Sequence, residues 1–262
     1  GISAAGPVPG IEVEVAPRLR KFTLPDPPAG ADELAAALRG VLGVLEALPA
    51  RIAAPVMGAP LRAILGQTRA SVFIVGHTGS RKSGVAALAQ QVFMPTARHN
   101  RLPVGAGEAA STAAGMEELL WQAGEALLVA DDLAPDRGAE RSAMRANELL
   151  RAVGNGNPKL RGARAGGLRE DRPPRALLML TGEDGASKPS AESRTVYVPL
   201  APGDVRLDVI RELSTREMIA GRNATGAALV QWVAGRMPIE DWVESARQSC
   251  AAALLAARGV DP

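Results

Sequence analysis

One cysteine, Cys250, stands in 262 residues, so no disulfide can close within the chain, and a reducing, cytoplasmic setting is the expectation. Histidine is nearly as scarce. His77 and His99 have no cysteine or histidine beside them, which argues against a zinc site. Aromatic residues make up 3% of the chain, and none lies among the basic residues of 159–169, so base stacking is not the implied mode of contact there. No apolar run approaches the ~20 residues of a membrane span, so no membrane partner is expected. The opening GISAAGPVPG lacks the charged and apolar regions of an export signal and an initiator methionine, as expected of a chain trimmed at its start.

What is present is ample apolar material: 47% hydrophobic residues, enough for one large domain or one and a half. Only four of the 30 basic residues are lysines (Lys21, Lys82, Lys159, Lys188). The net charge is +2, unevenly spread: between Arg137 and Arg175 ten basic residues face Glu140, Glu148, Glu170 and Asp171. Such a local excess points to an anionic partner at one place.

The stretch 71–91 organises the rest. Ser71-Val72-Phe73-Ile74-Val75 is a short β-branched run suited to a strand buried on both faces, and from Ser83 onward good helix formers follow. Between them lie Gly76, His77, Thr78, Gly79, Ser80, Arg81, Lys82 and Ser83. This segment fits the phosphate-binding loop G-x-x-x-x-G-K-S/T at Gly76, Lys82 and Ser83, with Arg81 where the second glycine belongs. In such a loop, backbone N–H groups curl around phosphate oxygens in front of a helix N-terminus. Lys82 would reach the β- and γ-phosphates of ATP, and the Ser83 hydroxyl would take one position on Mg²⁺.

Further along, Leu127-Leu128-Val129-Ala130 runs into Asp131 and Asp132, two carboxylates at a strand end. Asp131 would hold Mg²⁺ through a water, and Asp132 would orient or activate the attacking water. Lys159, Arg161, Arg164 and Arg169 surround Gly166-Gly167 in a candidate basic hairpin. Without aromatics nearby, they would contact nucleic-acid phosphates and not bases. A strand over 176–181 ends in Thr181, Gly182 and Glu183, and Arg194 precedes a last strand at 195–200.

Elsewhere the pattern predicts a half-buried strand through Ile11, Val13 and Val15 after a flexible lead over 1–10. A helix starting at Asp32 should bury Leu34, Leu38, Val41, Leu42 and Leu45, and a second helical piece near 51–66 should be interrupted by Pro55 and Pro60. From Asp204 onward the pattern is helical, with a break at GRNATG (221–226) and with Trp232 and Trp242 as core anchors.

The fold expected from this order is α/β: a three-layer P-loop NTPase with a central parallel sheet. Residues 1–66 form a leader of one strand and helices, 67–203 the ATPase core, and 204–262 a helical lid. Over roughly 70–205 the chain resembles AAA+ ATPases, particularly the superfamily 3 helicase-like domains of plasmid, phage and integrative-element primase–helicase replication proteins. The resemblance rests on GHTGSRKS, LLVADD, RAVGNGNPKLRGAR, LLMLTGED and AESRTVYVPL. It implies Mg²⁺ and water-activating roles for Asp131 and Asp132, and a γ-phosphate sensor at Thr181 or Glu183. It implies a DNA-tracking hairpin at Lys159–Arg169 in a ring of identical subunits. An arginine reaching the neighbour's nucleotide would be Arg194, with Arg151 or Arg161 as alternatives. Arg81 and the lack of an asparagine sensor after LLML depart from that pattern.

The function expected is an ATP-driven, ring-forming helicase or translocase acting on single-stranded or forked DNA in replication of a mobile element. Two alternatives stand beside it. One is a nucleotide-binding switch with weak or no hydrolysis, marked by Arg81; the other is a DNA-pumping motor of the RecA type.

Overall fold

The computed structural model describes residues 2–10, 13–66, 68–105, 113–131, 139–156, 172–183 and 192–257. The four apolar runs become four parallel strands: β3 (Ser71–Val75), β4 (Leu127–Ala130), β5 (Leu177–Gly182) and β6 (Thr195–Pro199). Their spatial order is β4-β5-β3-β6, so the acidic strand lies two positions from the loop strand, with the polar-ended strand between them. Pairing is in register, Val72 with Met179 and Val196, and Leu128 with Leu178. Alternate residues of each strand feed opposite cores, as the two-residue period of a strand requires. Val72, Ile74, Val129 and Met179 pack with α2 (Ala50–Ile64) and α3 (Lys82–Gln90). Phe73, Leu128, Leu178 and Leu180 pack with α4 (Ala113–Gln122) and α5 (Ala139–Asn155). Helices therefore cover both faces, giving the three-layer α/β arrangement of a P-loop NTPase-like fold.

The outer edge of β4 is closed by side chain and bridge. Gln90 donates through Nε2 to Leu127 O (3.2 Å) and accepts from Val129 N–H (3.0 Å), while Val104 N–H donates to Val129 O (3.3 Å). These bonds satisfy backbone groups that an edge strand would otherwise leave open.

Several expectations are revised. Residues 2–7 are not a featureless lead: Ile2–Ser3 (β1) pairs antiparallel with Gly6–Pro7 (β2). Residues 13–16 carry no strand, and Val13 is exposed, since no neighbouring strand offers it a ladder. The first helix, α1 (Ala31–Ala47), is capped at Gly30 and not at Asp32. It buries Ala37, Gly40, Val41 and Val44, whereas Leu34, Leu38, Leu42 and Leu45 are exposed. Its apolar arc is wider than the face it buries, and close helix contact selects the small residues. Prolines 55 and 60 do not interrupt α2, whose buried face of Ile52, Ala53, Val56, Met57, Ala63 and Ile64 offsets the lost backbone bonds.

After β6 come α6 (Leu207–Leu213), α7 (Arg216–Ala234) and α8 (Glu240–Ala257). GRNATG is not a break. It lies inside α7, where Gly221 faces α1: a Cβ on Gly221 would meet Ala37 O at 2.9 Å. Trp242 is 47% exposed and meets Trp232 edge-on at 5.3 Å between ring centres, so it is not a core anchor. Among the described residues no helix is long and apolar enough to cross a membrane.

Candidate functional site

All four strands are parallel, so their C-terminal ends share one edge of the sheet, and the chemistry-bearing residues gather there. The chain leaves β3 at Gly76, whose N–H donates to Gly182 O at 3.1 Å, tying the loop to the end of β5. Glycine is required at this point: a Cβ would lie 2.5 Å from Leu200 O and 2.8 Å from Ser80 Oγ. The turn closes with Ser80 N–H on His77 O (3.1 Å), and α3 begins at Lys82. Gly79 takes φ +87° at the open side of the turn, where nothing lies within 4 Å of a notional Cβ. His77, Thr78 and Gly79 are exposed and form the mouth of the loop.

Lys82 folds back into this loop. Its side chain is buried, and Nζ donates to Gly76 O (2.6 Å) and His77 O (3.1 Å). The ammonium thus sits at the centre of the turn, in front of the helix N-terminus. Ser83 follows in the first turn of α3 and is partly buried. Ser80 Oγ is buried with no hydrogen-bond partner among the described residues, a polar group the fold leaves unsatisfied beside Gly76.

Arg81 has φ +70° and ψ +21°, the left-handed conformation, and is the one non-glycine with positive φ among the described residues. Its position is where the loop pattern has glycine, and the backbone takes the glycine-type geometry all the same. A side chain there costs about 1 kcal/mol. Arg81→Gly is therefore expected to be more stable than Arg81→Ala by about 1 kcal/mol, the reverse of the order at an ordinary helical site. Urea unfolding of the two variants measures the difference, and alanine proving the more stable would contradict the left-handed backbone.

One strand away, Asp131 stands at the end of β4, with its backbone N–H fixed on Val104 O (2.9 Å). Its carboxylate is buried and accepts from Thr181 Oγ1 at 2.7 Å, a bond that joins the ends of β4 and β5. Glu183, just beyond β5, accepts a hydrogen bond from the Thr78 hydroxyl in the loop. That bond, with smaller help from the Lys82 and His77 charges, holds the Glu183 carboxyl below its usual range. The structure thus brings the 76–83 loop, Asp131, Thr181 and Glu183 together. The roles of Gly182 and Val104, both acting through backbone, carry no sequence signal because any residue can supply them.

Arg194 is elsewhere. It precedes β6 and so lies at the N-terminal edge of the sheet, with its guanidinium on Asn155 Oδ1 and its stem against Gly154. One strand length separates it from the loop of its own chain. Asp132, Lys159, Arg161, Arg164 and Arg169 lie outside the described residues.

No protein-family model and no curated protein matches this sequence. Among solved structures, it is similar to JCV helicase bound to a substituted acetamide, at 10% identity and TM-score 0.37, covering 89% of this chain and 67% of that one. It is also similar to an inhibitor-bound JCV helicase, at 12% identity and TM-score 0.35, covering 85% of this chain and 61% of that one. Resemblance at this level assigns no family to the chain.

Proposed function

We propose that the chain is an ATP-binding and ATP-hydrolysing motor domain that acts on single-stranded or forked DNA, as a helicase or translocase in a ring of identical subunits. Replication of a mobile element is the setting we infer for it. The observation that carries this reading is the shared sheet edge, where Lys82 is centred in its loop and Asp131 is braced by Thr181. Loop N–H groups and the α3 N-terminus would receive the phosphates of ATP, and Lys82 would exchange its loop carbonyls for β- and γ-oxygens. Thr181, already bonded to Asp131, would sense the γ-phosphate. Glu183 would have to release Thr78 for the loop mouth to close on a ligand.

A hydroxyl and a carboxylate, Ser83 and Asp131, are the hard oxygen donors that Mg²⁺ takes, so the residues fit that ion. When bound, Mg²⁺ neutralises phosphate charge. Asp132 would orient the attacking water. Lys159, Arg161, Arg164 and Arg169 would hold DNA phosphates, and Arg194 would act on a neighbouring subunit's site, because its own is a strand length away.

The deciding measurement is ATP turnover with and without single-stranded DNA. Stimulation by DNA is expected, and the Arg161→Ala/Arg164→Ala pair should remove it while sparing DNA-free turnover. The same pair should flatten the salt dependence of DNA binding by up to about 2 in slope. Turnover indifferent to DNA would sink the motor reading.

A second reading, a nucleotide-binding switch with little hydrolysis, is favoured by one observation: the exposed cation of Arg81 on the left-handed turn directly before Lys82. Tight ATP binding without turnover in the native chain, with turnover gained in Arg81→Gly, would select it.

A further inference from the structure

At the opposite edge of the sheet lies a cavity of about 1170 Å³ that the nucleotide site does not use. It opens between the ends of α2 and α7, the start of α8 and the residues leading into β4, with Phe22, Phe93, Val233 and Ile239 among its apolar walls. Its volume is slightly above the roughly 300–1,000 Å³ typical of small-ligand sites.

Four charged side chains line it: Arg62, Arg247, Glu125 and Glu244. Glu125 is taken by Arg175 in a two-pronged pair (2.6 and 2.8 Å), and Glu244 by Arg247 at 3.2 Å. Arg62 is left over. It is partly buried, and the one hydrogen bond its guanidinium makes among the described residues goes to a backbone carbonyl, Gly66 O, at 2.6 Å. Burial, and then the nearby Arg247 charge, push its pKa down, the sign of a cation held without a counter-charge. A partly buried guanidinium beside a second one, in apolar walls, is stabilised by an anion that brings its own hydrocarbon.

We propose that this cavity binds a small amphiphilic anion, an acyl or fused-ring body bearing one acidic head, with the head on Arg62 and the body among Phe22, Phe93, Val233 and Ile239. This site is independent of the nucleotide reading, since none of its lining residues belongs to the 76–83 loop or to the strand ends that face it.

The test uses anilinonaphthalene sulfonate, an apolar body with one anionic head, titrated into the full chain. Dodecanoate serves as competitor below its micelle concentration, so that the monomer and not an assembled surface is what binds. One saturable site with blue-shifted emission is expected. Dodecanol, the same chain without the charge, should compete about tenfold more weakly, as loss of a charge-assisted contact implies. Arg62→Ala should weaken the probe about tenfold, and Arg62→Lys should retain most of the binding. Ala234→Phe, which fills the cavity, should abolish binding without altering the circular dichroism spectrum. Non-saturable binding, equal competition by dodecanol, or full binding by the Ala234→Phe protein would each overturn the proposal.

Discussion

Lys82→Ala should lower ATP affinity by about a hundredfold or more, with the fold retained. In the free protein the Lys82 ammonium is held by two carbonyls of its own loop, Gly76 O and His77 O. These are neutral acceptors, and a triphosphate offers charged ones at the same place. A charge-assisted hydrogen bond contributes about 1.5–3 kcal/mol, so losing two or more of them passes a hundredfold. No other basic side chain lies buried in the turn: His77 and Arg81 are both exposed. Titration calorimetry reads the affinity, and circular dichroism confirms that the chain is folded. Wild-type affinity in the variant would remove the phosphate-loop reading altogether, and the motor and switch readings would fall with it.

The sheet was legible because three of its strands, β3, β4 and β5, are buried on both faces, while β6 is a short β-branched edge run with Val196 exposed. A strand of that kind is a continuous apolar run, and the ranges expected from sequence for β3 to β6 differ from the observed ones by two residues or fewer at each end. The loop was legible through residue type alone, since Gly76, Lys82 and Ser83 are side-chain requirements. Helix faces were less legible. In α1 the sequence offers an apolar arc wider than one neighbour can cover, and periodicity ranks leucine above glycine and alanine. Packing ranks them the other way, because Gly40 and Ala37 let α7 approach where a leucine would hold it off. The same physics misleads at GRNATG, where glycines read as a helix end yet mark the place where two helices nearly touch. Trp242 was misplaced for a related reason: its size suggests a core, while its partner, Trp232, is itself only partly buried. Asp131 and Asp132 are equivalent as a dipeptide. Asp131 is given its place by bonds to Val104 O and from the Thr181 hydroxyl, and the Thr181 bond spans fifty residues of sequence.

Gly40→Ala should destabilise the fold by about 2–4 kcal/mol, although glycine to alanine inside a helix ordinarily gains about 1 kcal/mol. A Cβ on Gly40 would lie 2.5 Å from Arg222 N, 2.7 Å from Met218 O and 2.8 Å from Gly221 C. All three are backbone atoms of α7, so no side chain can turn away and the helices must part. Overpacking alone costs about 1–3 kcal/mol, and parting also disturbs Arg222. That guanidinium is fully buried and donates to Gly40 O (3.0 Å), to Leu213 O and to the Gln91 side chain at the end of α3. Burial, with a lesser push from Arg98, brings its pKa down to about 10, so it remains charged at neutral pH. Among the described residues no carboxylate pairs with it, so these carbonyls and the Gln91 amide are what stabilise the charge, and moving them leaves a buried cation short of acceptors. Gly58 supplies the control: it lies mid-helix in α2, is exposed, and has nothing within 4 Å of a notional Cβ. Gly58→Ala should therefore stabilise by about 1 kcal/mol. Urea unfolding of both variants gives the comparison. A stabilised or neutral Gly40→Ala protein would show that α1 and α7 do not cross at this distance.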